Sequence, residues 1–220
     1  MTKKEKKELF LKVTERLKKI YPDAVCALEF GGDPWKLLVM GRLSAQCTDA
    51  RVNIVCRELF MEFPTAFDMA NGDIKRIEEI VRPCGLFHTK AKNIKDSSAM
   101  LVKEYGGELP VEMDELLKFP GVGRKIANLL RGDIFSLPAV VADTHCIRIC
   151  GRLGAYSEGV KDAHKVERIM SEILPENEQS DFCHRIVQFG RDICTARRPQ
   201  CEACILSDIC MHSKKKSKFC

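Results

Sequence analysis

Four cysteines in the C-terminal part of this 220-residue chain, Cys194, Cys201, Cys204 and Cys210, fall in the pattern C-x6-C-x2-C-x5-C. A disulfide framework belongs to small secreted domains; this chain is too long for one and opens with no export signal. Structural zinc is commonly held by two separated CxxC or CxxC/HxxxH pairs, whereas only one CxxC stands in this loop. Four thiolates packed this closely suit an iron–sulfur cluster, which is gripped by cysteine sulfurs. Zinc is the competing metal, since four thiolates also hold it tetrahedrally. His212 lies close enough in sequence to rival them as a ligand, but the four cysteines complete the set.

A second group of reactive types lies upstream. Leu116-Leu117-Lys118-Phe119-Pro120-Gly121-Val122-Gly123-Arg124-Lys125 reads as an apolar helix end, a glycine turn and the start of another helix. Pro120 stops the first helix. Gly121 and Gly123 admit positive φ and clear the turn of side chains. Bare N–H groups at the positive end of the next helix dipole then bind a phosphate. Such a helix-hairpin-helix, about residues 112–131, grips a nucleic-acid backbone without reading sequence. Lys125 falls in the first turn of the second helix, where the dipole opposes a positive charge and favours the neutral, nucleophilic amine. Taken alone, it reads more simply as an exposed or phosphate-contacting cation. Asp143 follows an apolar run and is expected to cap a helix from Thr144 to Leu153. The same carboxylate could assist a proton transfer or stabilise a cationic transition state.

The elements that must position these groups are helical. Leu9, Val13, Leu17 and Ile20 form one stripe near a 3.6-residue period, and Val52, Val55, Cys56 and Leu59 form another. Ile74, Ile77 and Val81, then Ala91, Ile94, Ser98, Leu101 and Val102, continue the pattern. Val166, Ile169, Met170 and Ile173 mark a helix ended by Pro175, and Phe182, Ile186, Val187 and Ile193 mark the last long one. Trp35 to Ala45 suits a buried helix. Strand-like alternation is scarce, so the class is all-α. A seam is expected near Ser136-Leu137-Pro138.

Hydrophobic residues make up 45% and charged residues 30%, as in globular proteins that fold in water. No run of 18 apolar residues occurs, so no membrane span is expected. Twelve cysteines in a chain without a leader point to a reducing cytoplasm, where disulfides are rare and the clustered four need a metal. Most of the others, and Cys146, Cys150 and Cys183 among them, read as small buried hydrophobes; Cys220 reads as a free tail thiol. The net charge of +5 gathers at the ends: eight Lys/Arg against three Glu in the first 20 residues, and four Lys in the last seven. Docking the N-terminal helix beside the C-terminal ones would unite these charges into a face for a phosphate backbone.

FPGVGRKIAN (119–128), VADTH (141–145) and the cysteine loop (194–210), in that order, resemble the endonuclease III family of DNA glycosylases in the helix-hairpin-helix superfamily. LSAQCTD (43–49) and GLFHTKAKNI (85–94) add to the likeness. The resemblance implies two helical domains: a six-helix barrel over 27–137, and an iron–sulfur domain built from 1–26 and 138–220, with DNA in the cleft between. It implies a [4Fe-4S] cluster on Cys194, Cys201, Cys204 and Cys210, a nucleophile at Lys125 and a catalytic carboxylate at Asp143. Gln46 and Leu86 match residues that enter the duplex. Gly121, Val122, Gly123 and Arg124 match the phosphate-binding hairpin, while Arg197 and Arg198 are basic residues beside the cluster.

The function implied is base-excision repair of double-stranded DNA by a bifunctional glycosylase and AP lyase, acting on oxidised pyrimidines through a lysine Schiff base and β-elimination. A monomer in the bacterial cytoplasm, at the nucleoid, is expected. An adenine- or mismatch-specific glycosylase is one alternative, against which Lys125 argues. A non-catalytic iron–sulfur DNA-binding protein is another, against which both Lys125 and Asp143 argue. Arg42, Cys47, His88 and Arg131 depart from the family pattern. The two arginines are expected to be exposed or paired with acids.

Overall fold

A computed structural model describes residues 1–216; Lys218 and Cys220 lie outside the described residues. Among the described residues the chain is helical, with no strand. In chain order the helices are α1 (Lys3–Ile20), α2 (Pro34–Leu43), α3 (Asp49–Glu62), α4 (Ala66–Asn71), α5 (Ile74–Val81) and α6 (Phe87–Tyr105). They continue with α7 (Met113–Leu116), α8 (Arg124–Asp133), α9 (Thr144–Leu153), α10 (Ala163–Ile173), α11 (Gln179–Asp192) and α12 (Met211–Lys216). No helix is long and apolar enough to cross a membrane.

The chain divides into two compact units. One is Cys26–Phe135; the other comprises the described residues of Met1–Val25 and Ser136–Cys220.

The first unit is built on α2, whose Leu37, Leu38, Val39, Met40 and Leu43 are all within 1% of full burial. Asp33 caps this helix by accepting from Lys36 N at 3.1 Å, and Pro34 supplies a pre-set first turn. α2 packs on α3, α6 and α8, and α6 packs in turn on α4 and α5. Trp35 joins α2 to α6 through Nε1 donating to Ser98 Oγ at 2.8 Å. The hydroxyl of Ser98 continues to the Ile94 carbonyl at 2.7 Å, so a polar group on the α6 core stripe is fully satisfied.

In the second unit α1 lies against α10 and α11, and α9 lies against α11 and α12. Phe10, Val13 and Leu17 of α1 share a core with Phe182, Ile186 and Phe189 of α11. Thr2 and Glu5 form a reciprocal cap at the start of α1, with bonds of 2.7 and 3.2 Å. Arg16 reaches from α1 to the cysteine loop, donating to the Ile205 carbonyl at 2.7 Å and gripping the Asp208 carboxylate with both terminal nitrogens.

Candidate functional site

The hairpin starts in α7, which is short. Its regular winding ends at Leu116, four residues before Pro120, earlier than the proline alone predicts. Beyond Leu116 the winding tightens: Lys118 N bonds to Glu115 O at 3.1 Å and Phe119 N to Leu116 O at 3.3 Å. Val122 N then closes the turn on Phe119 O at 3.0 Å. The Val122 amide is therefore engaged within the turn and its side chain is buried, whereas Gly121 and Gly123 on either side are exposed. Gly123 is the N-cap of α8, so no capping side chain covers that helix's first amide donors.

Gly121 has φ +77, and a Cβ there would run into Arg42 and Asn93. These two side chains prop the turn from below. In the amide orientation that satisfies both groups, Asn93 oxygen accepts from Arg42 Nε and Nη2, each at 2.9 Å. Arg42 is thus half-buried and joined to a neutral amide rather than to an acid. Arg131 instead finds a backbone partner, the Val111 carbonyl at 2.9 Å.

Lys125 is the second residue of α8, two residues after the Gly123 cap, and is exposed. Arg124 next to it is half-buried. Asp143 belongs to the other unit. It is the N-cap of α9, and its Oδ1 accepts from Cys146 N at 2.7 Å. The cap engages only one oxygen, so this carboxylate can both stabilise its helix and serve chemistry with the other.

Gln46 and Leu86 are exposed, and both have left-handed backbones, φ 55 and φ 48. Among described non-glycine residues only Ser136 joins them at positive φ. Such conformations are costly for L side chains, and their persistence marks segments the surrounding structure holds in place. Leu86 is also the N-cap of α6, without a capping side chain. Cys47 and Cys84 flank these two positions; burial pushes the Cys84 thiol up to about 12, and its hydrogen-bonded neighbour Cys47 adds to the rise. His88, the remaining departure, is exposed, with Nδ1 2.9 Å from Glu78 Oε1.

Cys194, Cys201, Cys204 and Cys210 all line one pocket, walled by Ile149, Leu153, Phe189 and Leu206. Among the described residues no three His, Cys, Asp or Glu side chains are placed to hold a single metal ion. Four cysteines lining one pocket are the donor set that an iron–sulfur cluster takes. Two of the sulfurs accept hydrogen bonds: Arg152 Nη1 donates to Cys194 Sγ at 3.3 Å and Leu206 N to Cys204 Sγ at 3.4 Å. Arg152 also holds the loop itself, through the Thr195 and Ala196 carbonyls at 2.8 Å. Arg197 and Arg198 follow directly and are exposed.

Family models match two stretches. Residues 39–176 match the HhH-GPD superfamily of base excision DNA repair proteins, and residues 194–210 match the iron–sulfur binding domain of endonuclease III. Endonuclease III of Synechocystis sp. is 41% identical over 93% of this chain and 93% of its own. The chain belongs to the endonuclease III family. Two solved structures, a non-covalent endonuclease III–DNA complex and a trapped endonuclease III–DNA covalent intermediate, superpose with TM-scores of 0.89. Each covers 99% of both chains, at 38% and 39% identity. The all-α class is that of this family, and its cofactor is a [4Fe-4S] cluster.

Lys90, beside the Gln46 and Leu86 segments, is the residue that the sequence alone did not single out. It is fully buried on α6, with its ammonium bonded to three main-chain carbonyls. Its spacing from Ile94 and Leu101 put a charge on an apolar stripe, which was the available signal.

Proposed function

We propose that this protein removes oxidised pyrimidines from double-stranded DNA and then cuts the strand. The observation that carries the reading is Lys125: an exposed amine in the first turn of α8, beside a glycine turn, in a chain 39% identical to an endonuclease III trapped covalently on DNA. The lesion leaves the base stack before reaction, because its glycosidic bond is inaccessible inside the duplex. Lys125 Nζ attacks C1′ of the deoxyribose, and the base leaves with the C1′–N bonding pair and takes a proton from water. Asp143 takes up the proton released by the amine and stabilises the positive charge that develops on the sugar. O4′ takes the proton from Asp143 as the ring opens to an iminium, water removes a proton from C2′, and the C3′–O bond breaks to release the 3′ strand with its 5′ phosphate. Water hydrolyses the imine and returns the free amine.

Gly121, Gly123 and Arg124 hold a backbone phosphate near the lysine, with Val122 shaping the turn by its engaged amide. Arg197 and Arg198 hold further phosphates. Gln46 and Leu86 enter the duplex where the nucleotide is drawn out. Cys194, Cys201, Cys204 and Cys210 ligate the cluster, which supplies a cross-link for the loop bearing the two arginines. The protein works as a monomer, in the cytoplasm where its DNA lies.

The test is incision of a duplex with one thymine glycol. The protein should cut at the lesion, and Lys125→Ala should bind the same duplex without cutting it. Equal cutting by the variant would remove Lys125 from the reaction.

A further inference from the structure

A buried ammonium without a carboxylate beside it is expensive. Lys90 is 0% exposed, and burial pushes its pKa down. Its Nζ donates to Leu43 O at 2.8 Å, Ala45 O at 2.7 Å and Cys84 O at 2.8 Å. An ammonium has three protons to donate, and three carbonyls receive them. Leu43 is the last residue of α2, and Cys84 is the last residue of the 3-10 turn Arg82–Cys84. A cation there faces the negative ends of two helical segments, which offsets part of its desolvation.

The three acceptors belong to two separate stretches of chain. Leu43 and Ala45 lead into Gln46; Cys84 precedes Leu86 by two residues. The backbone of Lys90 adds a fourth link, its N–H donating to Leu86 O at 3.0 Å. One residue therefore touches the approach to both exposed, left-handed positions, φ 55 at Gln46 and φ 48 at Leu86. An apolar side chain of the same length would fill the space without the cost of a buried charge. It would not join the two stretches.

We propose that Lys90 is a positioning residue for lesion reading, its buried ammonium fixing the Gln46 and Leu86 segments against each other so that both side chains meet the duplex together. The inference rests on the reading of Gln46 and Leu86 as the residues that enter DNA. Lys90 itself has no access to substrate and forms no imine.

The experiment is a mutant cycle read as single-turnover base release from a thymine glycol duplex, with thermal unfolding measured alongside. Lys90→Met keeps the length and removes the donors. It should slow base release about 100-fold, the scale of an ångström-level misplacement. In a Gln46→Ala/Leu86→Ala background, itself similarly slow, the same change should cost less than about 3-fold, because residues acting as one unit are not additive. A slowing of equal size in both backgrounds would show that Lys90 only holds the fold, and would overturn the proposal. So would wild-type base release by Lys90→Met. Wild-type release by Gln46→Ala/Leu86→Ala would instead overturn the reading of those two residues, and the proposal with it. If Lys90→Met does not fold, Lys90→Gln, which keeps two donors on a shorter arm, enters the same cycle under the same criteria with an intermediate loss.

Discussion

At Asp143 the helix cap and the proposed chemistry can be separated by substitution. Asparagine caps a helix as well as aspartate does, yet it can neither take a proton nor carry the negative charge that steadies a cationic sugar. Asp143→Asn should therefore unfold at nearly the wild-type temperature while releasing base about 100-fold more slowly, the usual scale for a positioned acid–base or electrostatic group. Single-turnover rates alongside thermal melts decide it. Wild-type turnover with a lowered melting temperature would leave Asp143 as a cap alone. The same scale explains Gly121: its φ of +77 and the Arg42–Asn93 pair beneath it leave no room for a side chain in the turn.

Among the elements, α1 and the cysteine loop are joined by Arg16. Its guanidinium holds the Asp208 carboxyl below the usual carboxylate range. A carboxyl lowered in the folded state adds stability above its unfolded pKa, and that stability is lost as pH falls through the lower folded value. Arg16→Ala should therefore speed amide hydrogen exchange in residues 201–210 at neutral pH. The difference from wild type should shrink in acid, once Asp208 is protonated in both proteins. An equal difference at both pH values would assign the effect to the lost Ile205 carbonyl bond instead.

The long helices were legible because each buries a periodic stripe. The span Thr144–Leu153 is read correctly from an aspartate cap and apolar spacing. α4 was not legible: it buries only Met69, so it has no stripe, and its one signal is the Thr65–Asp68 cap. α7 ends short of Pro120 because 3-10 bonds carry the chain on to Phe119. The reactive residues stood out by type and spacing. Their supports did not, because Arg42, Asn93 and Lys90 act through contacts that only the packing of α2 against α6 creates.

For the molecule as a whole, a net charge of +5 is modest, so affinity for DNA must come from where the charge lies. Arg197 and Arg198, in the cluster loop, are exposed, and the proposed function has them meet phosphates. Replacing both with alanine should reduce the slope of log affinity against log salt by about 2, one condensed counterion for each lost contact. An unchanged slope would place both outside the interface. In the proposed reaction Lys125 bonds covalently to the sugar. That bond is tested most directly by adding borohydride during reaction with a thymine glycol duplex, then mapping the protein–DNA adduct by peptide mass. A single adduct is expected on the peptide carrying Lys125, absent in Lys125→Ala. An adduct on another lysine or on the N-terminal amine, retained in that variant, would contradict it.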